Sequence, residues 1–347
     1  MNRVRARERI SLIAFAIAML LSLPLVAGFF GSVHPVLNSL AHFRVHIAAL
    51  MILFSLLSLA GSMWRQGLAA IAFGLAAIGT ALGPQILPGL GEVHAAFQPE
   101  DETRPVYRLL QLNLRFDNPE PAKVLSMIGR ERPDILTLNE VSALWTRKLD
   151  LIADAYPHRI ICKVRNRAGG AAILSLRPFT QGEAPQCLDG GTFALATVDF
   201  GGRPVQIGAL HLHRPWPFPQ SHQIDELEPL LARMSPTSIL AGDLNATPWS
   251  HAARRIARAG SFQPFALAAP TWLYQRLPEM LRFAGFPIDR VYAKGGVTPH
   301  AARTLEAVGS DHLPVLVEFS LDGPSGTPES GPAQAIVVRR VTGARES

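Results

Sequence analysis

The stretch Ile239 to Trp249, Ile-Leu-Ala-Gly-Asp-Leu-Asn-Ala-Thr-Pro-Trp, sets a carboxylate, Asp243, and an amide, Asn245, at the end of a short apolar run. A carboxylate can take a proton from water, and an amide can hold that water or an anionic oxygen, so the pair has the parts of a hydrolytic centre. On its own the stretch reads more readily as a turn, because Gly, Asp and Asn are the residues that close strands. The same juxtaposition recurs along the chain. Asn113, Glu140, His211 and Asp289 each sit at the edge of a short apolar run, and Asp311-His312 directly precede the last one. Loop polarity does not require carboxylates and histidines in such a set. Pooled in one place they could hold a cation and activate water.

The elements that must position these groups follow from hydrophobic spacing. Short apolar runs predict strands over 106–114, 134–138, 158–163, 171–176, 193–200, 205–212, 238–243, 288–292 and 313–319. Amphipathic stretches predict helices over 119–130, 142–153, 221–233 and 249–259. Strands 193–200 and 205–212 flank Gly201-Gly202 and read as a hairpin. Pro215-Trp216-Pro217-Phe218-Pro219 can be neither helix nor central strand, and makes a stiff aromatic loop just past His211. The stretch 264–287 has no clear pattern. Alternating strands and helices predict an α/β domain.

The ordered set Leu-Asn113-Leu-Arg, Leu-Asn-Glu140-Val, Gly-Gly-Ala-Ala-Ile-Leu-Ser, His211, Gly-Asp243-Leu-Asn245, Ile-Asp289-Arg and Ser-Asp311-His312-Leu-Pro resembles the endonuclease/exonuclease/phosphatase superfamily, the fold of DNase I. The resemblance covers residues 105–320. It implies a four-layer α/β sandwich, two packed β-sheets flanked by helices, with the site at the sheet ends. It also implies a divalent cation, Mg²⁺ or alternatively Mn²⁺, on the carboxylate of Glu140, completed by Asn113 and Asp311 directly or through water; Mg²⁺ takes one or two such hard oxygens and keeps several waters. Asp243 would orient and deprotonate the attacking water, and Asn245 would hold the water or the phosphate. His211 would stabilise the phosphoryl oxygens, and His312, oriented by Asp289, would donate to one of them. The chain departs from the pattern at Asn139, where many relatives carry Gln, with little effect expected. The aromatic and basic residues by which DNA-cutting members enter a groove are not recognisable.

Upstream of this domain the composition changes. No Lys, Arg, Asp or Glu lies between Arg9 and Arg44, between Arg44 and Arg65, or between Arg65 and Glu92. Each block can supply the ~20 apolar residues that cross a bilayer. The first, behind Arg3, Arg5, Arg7 and Arg9, could be a secretory signal, but two further blocks follow at once. The expectation is a membrane anchor over 1–91 with transmembrane helices at about 10–30, 45–63 and 68–87. A linker follows at 92–104, the catalytic domain at 105–320, and a disordered tail at 321–347, rich in Gly, Pro, Ser and Arg. Basic segments stay cytoplasmic, which puts the N-terminus inside and, after three crossings, the catalytic domain outside the cytoplasmic membrane; Arg44 in the first loop is a mild conflict. Cys162 and Cys187 could form a disulfide in that compartment or remain separate buried thiols. The net charge of +6 includes the N-terminal arginines and says little about nucleic acid.

The layout, with the segment His-Leu-His-Arg-Pro-Trp-Pro, also resembles the membrane-anchored members of the superfamily linked to teicoplanin resistance, which act on polyprenyl pyrophosphate outside the membrane. This implies a phosphoesterase whose partners are the lipid bilayer and a phosphorylated lipid. The alternatives are an extracytoplasmic nuclease using Arg254, Arg255, Arg258, Arg276, Arg282 and Arg290, and a catalytically silent membrane scaffold.

Overall fold

The structure, a computed structural model, describes residues 2–86, 104–164, 167–267 and 269–322. The expected linker, save Arg104, and the expected tail beyond residue 322 lie outside the described residues. The apolar N-terminal segment forms α1 (Asn2–Ala27), α2 (Pro35–His42), α3 (Arg44–Ser58) and α4 (Trp64–Ile86). Two helices are long and apolar enough to cross a membrane, Val4–Phe30 and Trp64–Gly83, and a third only if α2 and α3, bent by 62° at Phe43, count as one span. The expected continuous span over 45–63 is thus corrected: α3 has 15 residues, about 22 Å at 1.5 Å per residue. Its ends nevertheless lie level with Gly28, just past the end of α1, and with Ser11, nine residues into α1. Arg44 Nη2 donates to the Gly28 carbonyl at 3.0 Å, and Ser11 Oγ to the Ser58 carbonyl at 2.7 Å. Gly67 and Gly74 of α4 lie against Ser58 and against Met51 and Ile52, so α4 runs back along α3. Helices α1, α3 and α4 alternate in direction, so the N-terminus and the end of α4 lie at opposite ends of the bundle. Arg44 is buried at the α1–α3 junction, with its guanidinium over the Phe29 ring. It is a structural contact within the bundle.

The rest of the chain builds two six-stranded sheets. One contains β1 (Tyr107–Asn113), β2 (Ile135–Val141), β3 (His158–Ile161), β4 (Gly170–Ser175), β11 (Val297–Thr304) and β12 (Val315–Leu321), in the order β11-β12-β1-β2-β4-β3. The other contains β5 (Gln186–Leu188), β6 (Phe193–Asp199), β7 (Pro204–His211), β8 (Ser238–Asp243), β9 (Gln263–Pro264) and β10 (Asp289–Lys294), in the order β5-β6-β7-β8-β10-β9. The expected hairpin pairs β6 with β7 antiparallel. Helices α5 (Pro121–Glu131) and α6 (Ala143–Leu149) pack on the outside of the first sheet, and α7 (Gln220–Ala232) and α8 (His251–Ala259) on the second. This is the four-layer sandwich expected from the sequence. Cys162 and Cys187 are joined in a disulfide.

Side-chain alternation explains the layers. Tyr107 and Leu109, Val205, Ile207 and Ala209, Ile239 and Ala241, and Val291 and Ala293 fill the core between the sheets. Leu110 and Leu112 face α5 and α6, and Leu240 faces α7 and α8.

Candidate active site

Carrying the inward stripe of each strand one step toward its end reaches the polar residues. On β1 the sequence of inward positions is Tyr107, Leu109, Gln111, Asn113; on β7 it ends at His211, on β8 at Asp243, and on β2 it passes Thr137 to Asn139. β10 runs the other way, so its stripe begins at Asp289. Register then brings these ends together: Asn113 pairs with Asn139, His211 with Asp243, and Asp243 with Asp289. Gly242 allows the closest approach, since a Cβ there would overlap the Leu210 carbonyl.

Asp243 is 2% exposed and is the focus of the site. Its Oδ2 accepts from Asn113 Nδ2 at 3.0 Å, and its Oδ1 from the Asn245 backbone N–H at 2.8 Å. The ring nitrogens His211 Nε2 and His312 Nε2 stand 3.5 and 3.6 Å from Oδ2. His312 Nδ1 lies 2.7 Å from Asp289 Oδ2, and Asp289 is fully buried. Burial alone would lower the pKa of His312, but the carboxylates of Asp289 and Asp243 outweigh it and raise it to about 10. His312 is therefore an imidazolium at neutral pH, with an N–H on both nitrogens. Burial raises the pKa of Asp243; His312 opposes that shift, Asp289 adds to it, and the net direction is upward. A carboxylate with raised proton affinity is the better base.

Glu140 stands at a kink. The β2–β4 register shifts between Leu138 and Val141, and Glu140 has φ of 58°, a conformation that turns its side chain out of the strand's alternation. Its carboxylate accepts from Asn113 Nδ2 at 3.2 Å and from the Phe116 N–H at 2.9 Å. Asp311, half-buried, accepts from Trp272 Nε1 at 3.0 Å. Glu140, His211, Asp243, Asn245, Asp311 and His312 line one pocket of about 280 Å³. Asn113 and Asp289 lie behind it, bonded to Asp243 and His312.

Two carboxylates, those of Glu140 and Asp311, are the hard oxygen donors that suit Mg²⁺ in this pocket. Asn113, expected to complete the metal site directly or through water, has its side-chain carbonyl oxygen accepting from the Arg115 N–H at 3.0 Å and its amide N–H groups facing the carboxylates of Glu140 and Asp243. It orients Asp243. Asn245 likewise spends its side-chain N–H on the Leu212 carbonyl at 2.9 Å and on Asp243 Oδ2 at 3.4 Å. Asp243, Asp289 and His312 bring ligand atoms within 4.8 Å of one another, close enough for a cation. While His312 is protonated that trio is less suited to a cation than free carboxylates such as those of Glu140 and Asp311.

Four supporting residues have no counterpart among the expected site residues. Asn139 Oδ1 accepts from the Asp243 N–H at 2.9 Å across the two sheets and from Gln111 Nε2 at 2.7 Å. Thr271 Oγ1 accepts from the Asp289 N–H at 3.0 Å, and Ser310 Oγ donates to the Asn113 carbonyl at 2.7 Å. Gln111 and Asn139 were visible as polar breaks in apolar strands; Thr271 lies in the stretch without a pattern.

The N-terminal bundle reaches this site. His42 Nδ1 accepts from the Thr247 N–H at 3.1 Å, the Ala41 carbonyl from Trp249 Nε1 at 2.8 Å, and Asn38 Oδ1 from the His251 N–H at 2.8 Å. Thus α2 is bonded to the segment that leads from Asn245 into α8.

Comparison with known proteins agrees with this architecture. No curated protein matches the chain. Among solved structures, an endonuclease/exonuclease/phosphatase from Beutenbergia cavernae is 23% identical, with a TM-score of 0.51, over 63% of this chain and 72% of that one. One from Bacteroides vulgatus is 16% identical, with a TM-score of 0.49, over 63% and 100%. An AP endonuclease from Archaeoglobus fulgidus is 17% identical, with a TM-score of 0.49, over 62% and 100%. At 23% identity the likeness to the Beutenbergia cavernae structure is one of fold. The family model for the endonuclease/exonuclease/phosphatase family matches residues 110–312, a span that takes in every polar strand end described above. The chain belongs to the endonuclease/exonuclease/phosphatase family, whose members hydrolyse phosphodiester bonds.

Proposed function

We propose that this protein is a membrane-anchored, Mg²⁺-dependent phosphoesterase that cleaves a phosphate ester or pyrophosphate of a membrane lipid, of the polyprenyl pyrophosphate class, outside the cytoplasmic membrane. The observation that carries this is the joint between anchor and site: α2 of the apolar bundle is hydrogen-bonded to Thr247, Trp249 and His251, directly after Asn245. A phosphoesterase held there meets its substrate at the bilayer. The arginine-rich N-terminus at the far end of the bundle and the Cys162–Cys187 disulfide support an outer location.

Glu140 and Asp311 would hold the cation, which when bound neutralises charge on the phosphoryl oxygens. Asp243 accepts a proton from water as the water oxygen bonds to phosphorus and the bond to the leaving oxygen breaks, its electron pair departing with that oxygen. The His312 imidazolium, held by Asp289, donates from Nε2 to a phosphoryl oxygen, and His211 approaches from the other side. Aimed donors of this kind stabilise the charge that builds in the transition state.

The nuclease alternative needs arginines free to track a phosphate backbone. Arg255 is paired with Asp225 and Glu228, Arg282 with Glu279, and Arg290 is buried. The decisive measurement is release of inorganic phosphate from undecaprenyl pyrophosphate by the purified protein with Mg²⁺, lost in Asp243→Ala. No release sinks the lipid function. Nicking of plasmid DNA in its place makes the protein a nuclease, and an unaltered role for Asp243→Ala in cells makes it a scaffold.

A further inference from the structure

Beside the catalytic pocket lies a second cavity of about 420 Å³, and the two share Arg214, Phe218, Asn245, Trp272 and Asp311 as a common wall. Chemistry changes across that wall. Beyond it the lining is mostly apolar, with Phe43, Trp216, Tyr274, Phe286 and Ile288 beside the polar Ser39, His42 and Gln275. Phe43 comes from the anchor, at the α2–α3 bend. It packs edge-on against Phe286 at 5.3 Å, Phe286 lies 5.8 Å from Trp272, and Trp272 Nε1 donates to Asp311. A row of rings therefore runs from the membrane-spanning bundle to the catalytic wall. The outer rim is apolar as well: Trp216 and Phe218 are 53% and 52% exposed. On the neighbouring turn Glu279–Ala284, which His46 bonds through the Ala284 carbonyl, Met280 and Phe283 are 80% and 78% exposed. Clustered exposed apolar groups of this size mark a surface made to be covered.

We infer that this cavity binds the hydrocarbon chain of the substrate, next to its phosphate. The inference rests on the phosphoesterase function proposed above and names what that site recognises. The cavity matches an amphiphile end for end. One end opens on the donors His211 and His312, with the Arg214 cation at the passage, and the other on the aromatic rim and the lipid-spanning bundle. The anchor is then one wall of the substrate site, through Ser39 and Phe43.

The test uses the full chain in detergent micelles with Mg²⁺ and a series of pyrophosphate monoesters with isopentenyl, geranyl and farnesyl chains. In the wild type each added isoprene unit raises kcat/KM, roughly tenfold at first, through KM, because the cavity covers the added methylenes better than the micelle and its water interface do. Ser39→Trp fills the cavity and Phe43→Asp places a charge in it; Ser39 is half-buried and Phe43 exposed, so the fold tolerates both. Each variant lowers the ratio of farnesyl to isopentenyl kcat/KM by roughly tenfold. A wild type indifferent to chain length, or variants that leave the ratio unchanged, would overturn the inference. Absence of turnover on every ester is a failure of the phosphoesterase function instead. In that case an alkyl phosphate carrying bromine on its chain still decides the matter. It quenches tryptophan fluorescence in the wild type and far less in Phe43→Asp, or the cavity is not a chain site.

Discussion

Replacing Asn139 with alanine tests how the two sheets hold the Asp243 carboxylate, the base in the mechanism proposed above. The Oδ1 of Asn139 accepts from the Asp243 N–H at 2.9 Å and from Gln111 Nε2 at 2.7 Å, and all three residues are buried. Stranding two buried donors costs about 1–3 kcal/mol each, so about 2–6 kcal/mol together. Against this, Nδ2 of Asn139 is buried without a partner among the described residues, and its removal returns about 1–3 kcal/mol. The net loss is roughly 1–3 kcal/mol of stability. The catalytic effect is larger. Asp243 loses the bond that fixes its backbone, and a displacement of about 1 Å at a reacting group costs ~100-fold in rate. Guanidinium unfolding of the full chain in detergent, followed by tryptophan fluorescence, gives the first quantity, and kcat on the preferred phosphoester gives the second. An unchanged unfolding midpoint would show that the bonds do not form. Lost stability with kcat intact would show that Asp243 does not depend on them, and either result refutes the reasoning.

Chelation should abolish activity and Mg²⁺ or Mn²⁺ restore it, with Glu140→Gln raising the metal concentration for half-maximal activity by more than roughly tenfold. His312 has its pKa raised from 6.5 to about 10; the folded chain therefore holds a proton that the unfolded chain releases. This stabilisation is complete below pH 6.5 and fades as pH rises to about 10. In Asp289→Asn the imidazole should titrate well below 10, which the ring-proton resonances of His312 would report; an unmoved titration contradicts the pairing. Asn38→Ala strands the His251 and Ala252 N–H groups at the start of α8, a loss of about 1–2 kcal/mol visible as faster amide exchange over 245–252. Reducing the Cys162–Cys187 bridge, which spans 25 residues, should lower stability by about 3 kcal/mol, and equal unfolding with and without reductant would count against it.

The catalytic fold was legible where alternation was clean. Strands β1, β7 and β8 carry apolar inward stripes that end in Asn113, His211 and Asp243, so the polar ends stood out against their own strands. β11 was not read, because Pro299, His300 and Arg303 and a bulge after Pro299 interrupt its pattern. Nor was α2: it lies in an uncharged stretch between two apolar blocks, and its partners Thr247, Trp249 and His251 are more than 200 residues away. The role of Asn139 was hidden for the same reason. A side chain bonding across two sheets leaves no periodic trace, whereas a chemical type at a strand end does.

The bonds from Asn38, Ala41 and His42 into the 247–251 segment have a kinetic consequence. For the membrane-anchored phosphoesterase proposed above they would fix the pocket mouth at one height above the bilayer, so that the protein would sample its surroundings in two dimensions. Its encounter rate with the proposed lipid substrate would then be set by lateral diffusion and by the mole fraction of that lipid in the leaflet. Diluting the substrate with inert lipid would slow turnover even at a constant amount per volume, while adding more vesicles of the same composition would not speed it.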